Sequence, residues 1–298
     1  MELRGLTAKD KGVFDKFLAL SRHELSVYAF ENIYIWKGLF DIGWSVIEDS
    51  LCVFFKDRFG YFLYLPPLSA RQNPLAVKRS FEFMERRNKN EEVSRVENIE
   101  GKDTPFYERL NCACREKSRD YICLRRALAG LSGNKFKSKR ASVNYFIKNN
   151  EFRYLPFTAR HRLGCLSLYN EWSKARGEKN SDAIYRGMLQ DSGVSLKKAL
   201  DNYAGLGLTG RVVLINNKVT GFTFGYRLNR DTFCILYEIT DLSVKGLAQF
   251  IFREFCQELK SCRYINIMDD SGLENLKEVK LSYHPVKLAP AYIATRKK

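Results

Sequence analysis

Residues 219–241 read VTGFTFGYRLNRDTFCILYEITD. Two runs rich in β-branched and aromatic residues, 219–228 and 232–239, flank the polar turn Asn229-Arg230-Asp231. Such runs predict strands. RVVLI (211–215) precedes them across Asn216-Asn217-Lys218, a turn sequence that predicts a β-hairpin. Downstream, Leu247, Phe250, Ile251, Phe255 and Leu259 recur at helical spacing and predict a helix over 246–260. YINIM (264–268) reads as a buried strand, 272–279 as a short helix and 286–295 as a closing strand. Upstream, helices are predicted over 158–176 and from Ser181-Asp182 to about Tyr203. The order of the second half is α-α-β-β-β-α-β-α-β.

The first half repeats that order. Helical patterns cover 8–20 and 24–37, WSVIED (44–49) and LCVFF (51–55) form a hairpin, and GYFLYL (60–65) follows as a strand. Residues 74–87 form a helix with Pro74 in its first turn, where a missing N–H is tolerated. VSRVE (93–97), a short helix over 104–110 and β structure over 112–124 complete the set. Two copies of one order point to a tandem duplication of a mixed α/β unit. The expected domains are 1–130 and 131–298, the second entered through a basic bridge over 131–157.

The whole chain is consistent with this. Its 298 residues leave room for two domains, and 45% hydrophobic residues with 7 prolines exclude disorder and fibre. Fifty Lys and Arg against 34 Asp and Glu give a net charge of +16, which suits a phosphate-bearing partner. Cations are densest over 131–162, where Lys135, Lys137, Lys139 and Arg140 lead a run whose only acid is Glu151. Phosphate contact and plain solvation explain that run equally well. The eight cysteines include no CxxC pair, and no histidine lies near Cys112 and Cys114, their only close pair, so no metal site is expected. The N-terminus has no signal pattern, and the most apolar window, 52–65, is broken by Lys56, Asp57 and Arg58. The expectation is a cytoplasmic protein, with contact to the inner membrane face left open.

The element order is that of the GCN5-related N-acetyltransferase (GNAT) fold. LSVYAFENIYIWK (25–37), KFKSKRASVNYF (135–146), 219–241 and YINIMDDSGLENLKEVKLSYHPVKL (264–288) together resemble the DUF2156 family, which is related to the C-terminal domain of phosphatidylglycerol lysyltransferase. The resemblance implies a tandem GNAT-like transferase that takes an aminoacyl group from charged tRNA and passes it to an acceptor such as a lipid head group. A membrane-embedded flippase segment is absent from this sequence.

Candidate site residues lie at strand ends, where open α/β sheets commonly bind ligands. Glu238 and Asp241 end the third strand of the second repeat; either could orient or deprotonate an attacking amine or hydroxyl, or simply cap the strand. Asp269 and Asp270 follow a buried strand, suited to an aminoacyl ammonium or to helix capping by Asp270 or Ser271. Lys277, Lys280 and Tyr283 come next. Lys280 and Tyr283 could meet a phosphate or an oxyanion, or be a helix-end cation and a half-buried anchor. The resemblance favours a site role for Asp270 and Lys280. Lys245-Gly246 precedes a helix N-terminus suited to phosphate. Acetyl-CoA enzymes usually carry Arg/Gln-x-x-Gly-x-Gly/Ala there; only Gly246 and Ala248 match, with Ser243 in the first place. His284 precedes Pro285 and is expected to be extended; His23-Glu24 reads as a surface helix start.

The expected function is therefore aminoacyl or acyl transfer. Aminoacyl-tRNA is the favoured donor, CoA is disfavoured, and no bound cofactor is required. An anionic lipid surface is an admissible partner, and sequence-specific DNA reading is not expected. A CoA-dependent N-acetyltransferase and a non-catalytic GNAT-like binding protein are the alternatives.

Overall fold

The structure, a computed structural model, describes residues 2–180 and 182–297. Contacts divide the chain into two compact units. The first comprises Met1–Tyr121, Met268–Lys277 and Leu288–Lys298; the second comprises Ile122–Ile267 and Glu278–Lys287. The units are thus interleaved, and each takes in a segment from the other half of the sequence.

In the first unit, β1 (Arg4–Gly5), β2 (Asp41–Ile47), β3 (Ser50–Lys56) and β4 (Tyr61–Leu63) form an antiparallel meander. Helix α1 (Lys11–Leu18) and helix α2 (Phe30–Ile35) precede β2. Helix α3 (Pro74–Glu85) crosses from β4 to β5 (Val96–Glu100), which runs parallel to β4. A parallel neighbour requires such a crossover. After α4 (Thr104–Arg109) comes β6 (Cys112–Leu124). Phe54, Phe81, Met84, Val96 and Tyr107 belong to the buried core between α3 and this sheet.

The second unit repeats the plan. Helix α5 (Arg125–Gly130), helix α6 (Lys137–Asn149) and β7 (Arg153–Pro156) lead into α7 (Arg162–Glu178), α8 (Ala183–Asp201) and the short α9 (Tyr203–Leu206). Strands β8 (Thr209–Ile215), β9 (Lys218–Arg227) and β10 (Thr232–Thr240) form the meander, and α10 (Leu247–Glu258) crosses to β11 (Tyr264–Asn266), parallel to β10. Helix α11 (Glu274–Leu281) and β12 (Lys287–Arg296) follow. The core of α6 on α10 is Phe136, Val143, Phe146, Leu247, Phe250 and Ile251.

The closing strands explain the interleaving. β12, last in sequence, pairs with β5 of the first unit, Ala291 opposite Glu100. The end of β6 pairs with β11 of the second unit, Ile265 opposite Cys123. Strand order is β1-β2-β3-β4-β5-β12-β6 in the first unit and β6-β11-β10-β9-β8-β7 in the second.

Several expectations need correction. Residues 24–29 are not helical, and Glu48 and Asp49 form a turn with φ of 49° and 58° instead of extending a strand. The strand expected over 93–97 begins at Val96, after a single helical turn over Glu91–Val93. YINIM yields only three strand residues because Met268 turns left-handed, φ 61°. His284 is left-handed rather than extended, φ 53°. β7 lies inside the basic bridge and forms an edge strand on β8 that its charged sequence disguised. Asp182 caps α8 by accepting from the Ile184 N–H at 2.9 Å; Ser181 lies outside the described residues.

Candidate functional site

In β10 the ladder with β9 slips between Ile235 and Tyr237. Ile235 stands opposite Gly225, Tyr237 opposite Phe224 and Glu238 opposite Thr223. Directly opposed residues share a face. The bulge therefore puts Glu238 on the face of Ile235, Gly225, Thr223 and Gly221. That face meets α10, since Leu247 lies 3.4 Å from where a Gly221 Cβ would be. The other face, with Phe222, Phe224 and Tyr237, packs toward α7 and α8, where Tyr237 and Ser195 share a 2.6 Å hydrogen bond. Bulges commonly re-aim a side chain in this way.

Glu238 is half-buried, and its carboxyl accepts no hydrogen bond among the described residues. Burial pushes its pKa from the ordinary 4.5 up to about 8, although Lys280 and Lys139 pull it down. Thr223, directly across the ladder, is fully buried, and its hydroxyl also has no partner. Unsatisfied buried polar groups are rare and call for an explanation. Here the orphan Thr223 hydroxyl and the Glu238 carboxyl lie on the same side of one strand pair.

Cations surround this pair. The Lys280 ammonium, in the last turn of α11, donates to the Ile267 carbonyl just beyond β11. Lys139 of α6 donates to Ser282 Oγ at 2.8 Å and lies 3.7 Å above the Tyr283 ring. Burial lowers the Lys139 pKa, and Glu238 opposes that shift. Tyr283 is buried, with its ring 4.5 Å from Phe252 of α10; burial and then Glu238 raise its phenol pKa far above the usual range. At neutral pH the cluster pairs a largely protonated carboxyl with two ammonium groups. It is an electropositive cluster carrying a proton donor.

The α10 entry serves mainly its own architecture. Asp241 Oδ1 accepts from the Ser243 N–H at 2.9 Å and from Ser243 Oγ at 2.7 Å, closing the turn. Gly246 is left-handed, φ 83°, and a Cβ there would stand 2.1 Å from the Ser142 carbonyl oxygen of α6. Its lack of a side chain permits the close approach of α6 to this turn. Lys245 lies 4.7 Å above the Tyr145 ring. Of the basic run, Arg140 donates to the Leu131 and Gly133 carbonyls, while Lys135 and Lys137 are exposed.

Asp269, Asp270 and Lys277 lie in the first unit. Asp269 accepts from the Ser271 N–H at 3.2 Å. Asp270 accepts from the Gly272 N–H at 2.9 Å and from the Tyr121 hydroxyl. Burial and this bond push the Tyr121 phenol up to about 12. Lys277 pairs with Glu274 at 3.1 Å on the exposed side of α11. The Asp270 bonds brace a loop whose Met268, Ser271 and Gly272 are all left-handed. We expect Asp270→Ala to lower unfolding free energy by about 1–3 kcal/mol in urea titrations, because a buried phenol loses its acceptor. Tyr121→Phe should lose less. Equal, negligible effects of both would dismiss the brace.

Thr223 and the pairing of Lys139 with Tyr283 were not legible in the sequence. A threonine in an apolar strand carries no signal, and Lys139 looked like one cation of a run. His23 is also placed differently from expectation: it stacks on Tyr28 at 4.0 Å and contacts Glu100 at 3.2 Å, within the first unit. Burial raises the Glu100 pKa, but bonds from His23, Lys102 and the Glu24 N–H outweigh it and hold the carboxyl at about 2. All eight cysteines are free, and no group of potential metal ligands occurs among the described residues.

Element order, the parallel crossovers and the bulged central strand define a tandem GNAT-like transferase fold. The chain belongs to the family described as phosphatidylglycerol lysyltransferase, C-terminal, whose model matches residues 18–295. A conserved protein of unknown function from Bacteroides thetaiotaomicron is 28% identical over 100% of both chains, with a TM-score of 0.89. L-PGS from Bacillus licheniformis is 16% identical, covering 97% of this chain and 92% of its own, with a TM-score of 0.67. A tandem GNAT protein from the clavulanic acid biosynthesis pathway is 8% identical, covering 98% of this chain and 97% of its own, with a TM-score of 0.50. No curated protein matches the chain. Among the described residues, no helix is long and apolar enough to cross a membrane.

Proposed function

We propose that the second unit transfers an aminoacyl group from aminoacyl-tRNA to a hydroxyl or amine acceptor, such as a lipid head group. The observation that carries this reading is the half-buried Glu238 carboxyl, without a hydrogen bond, between Lys139 and Lys280 and opposite the orphan Thr223 hydroxyl. In an ester transfer the acceptor attacks the carbonyl carbon, the carbonyl oxygen takes up negative charge, and the ribose oxygen leaves with a proton. A carboxyl with a pKa near 8 holds a proton at neutral pH and gives it to that oxygen, and the carboxylate left behind takes up the proton that the acceptor hydroxyl or amine loses, which restores the acid. Lys280, aided by Lys139, offsets the oxyanion charge in low-dielectric surroundings. Tyr283 holds Lys139 in place.

Lys135, Lys137 and Lys245 are exposed and guide the phosphates of the donor. Such contacts give a salt-dependent affinity without sequence reading. An anionic lipid surface satisfies the same cations when the acceptor is a head group. In this reading Asp241 keeps the α10 turn closed beside the acceptor.

The experiment is incubation with tRNA carrying a labelled amino acid, alongside vesicles of anionic phospholipid. Label should leave the tRNA and enter the lipid fraction. Lys280→Ala should slow this by about 10²–10³-fold. Thermal stabilisation by CoA but not by charged tRNA, with no label transfer, would overturn the reading in favour of a CoA-dependent enzyme. Binding of charged tRNA without any turnover would leave a non-catalytic GNAT-like binding protein.

A further inference from the structure

The first unit contains a cavity of about 460 Å³ that the transferase site does not use. It opens between the first turns of α3, the start of β6 and the end of β12. Its floor is apolar: Val77, Phe81 and Cys112 are buried, and Leu75 forms an exposed apolar lip. The charged residues that line it, Lys78, Arg296 and Lys297, are all cations. Arg296 is held over the Phe81 ring at 5.0 Å and pairs with Glu85 at 3.0 Å. Lys78 and Lys297 are exposed and have no ion-pair partner among the described residues. The volume lies within the range of small-molecule sites, which combine apolar walls with a few polar groups at fixed positions.

We propose that this cavity binds a single-chain anionic amphiphile, its alkyl chain on Val77, Phe81 and Cys112 and its carboxylate or phosphate head at Lys78 and Lys297. An apolar floor alone would take any hydrocarbon. Two unpaired cations at the mouth, Lys78 and Lys297, select a negative head. A chain buried on the floor gains affinity with every methylene, about fourfold for each one removed from water.

Titration calorimetry on the full chain tests this with decanoate, dodecanoate, dodecyl phosphate and dodecanol, all below their aggregation concentrations. Dodecanoate or dodecyl phosphate should bind one to one, at least tenfold tighter than dodecanol. Dodecanoate should exceed decanoate by roughly fifteenfold. Preference between the two anions tells a fatty carboxylate from a phosphate monoester, and either preference supports the site. Leu75→Trp, which fills the mouth from the surface, should weaken binding more than tenfold. Lys78→Glu with Lys297→Glu should abolish the preference for anions while leaving dodecanol unchanged; both changes are exposed and spare the core. Equal affinity for dodecanol and dodecanoate, no response to Leu75→Trp, or no saturable binding of any probe would each overturn the proposal. Label transfer from tRNA is scored separately, so failure here leaves the transferase reading standing, and the reverse holds too.

Discussion

Glu238→Gln is expected to lower the rate of label transfer by about 10²–10⁴-fold, the range over which a positioned acid or base acts. Gln keeps the shape and removes the proton. The wild-type rate should fall as pH rises through about 8, because the carboxyl then loses the proton it donates. The variant should be slow at every pH and lack that limb. Stability gives an independent readout. The folded pKa is raised above its ordinary 4.5, so the folded protein holds the proton more tightly than the unfolded chain does. The contribution of this group is fully present below about 4.5 and is lost as pH rises to about 8. Over that interval the wild type should lose on the order of 1 kcal/mol per pH unit from this residue, and Glu238→Gln should remove that slope. Superimposable stability–pH curves would show that the carboxyl ionises freely and is not the proton donor.

Gly246→Ala is expected to have the largest effect on stability. Two costs add there. A left-handed residue with a Cβ is strained by about 1–3 kcal/mol. The new methyl would also stand 2.1 Å from the Ser142 carbonyl oxygen and 3.2 Å from Phe146 Cβ, so α6 must withdraw from α10. Withdrawal loosens the Phe146–Phe250 contact, now 4.7 Å between centroids. Overpacking of this kind costs about 1–3 kcal/mol more. The sum, roughly 2–6 kcal/mol, is a large part of the stability of a domain. Gly207→Ala is the control: it is also left-handed, φ 68° and ψ 28°, but nothing lies within 4 Å of the new Cβ, so it should show the backbone cost alone. Urea titration of both variants separates the terms. Because α6 carries Lys139, Gly246→Ala should also slow transfer; an unchanged rate in the folded variant would detach α6 from the site.

Elements with strong periodicity were legible. The meander over β8–β10, the helix after it and the repetition of the order in the first half all followed from runs of two- and 3.6-residue period. Boundaries failed where local chemistry opposed the pattern. Met268 is apolar and extends YINIM by composition, yet the chain must turn there into the loop that Asp270 braces. β7 was hidden because Arg153 and Tyr154 lie on a charged stretch, and its pairing with β8 is not local.

The candidate site divides along the same line. Glu238, Lys280 and Tyr283 stood out by their places at strand and helix ends, which is information local in the chain. Their convergence was not local. By simple alternation Glu238 shares a face with Cys234, which pairs with Tyr226 on the side toward α7 and α8. One inserted residue, Leu236, reverses that parity and turns the carboxyl toward α10, Lys139 and Lys280. Composition and periodicity thus determined that this chain is a duplicated α/β unit. Which strands close each unit, and which face Glu238 takes, were decided by pairing between residues far apart in sequence, because a ladder register depends on both strands and is written in neither.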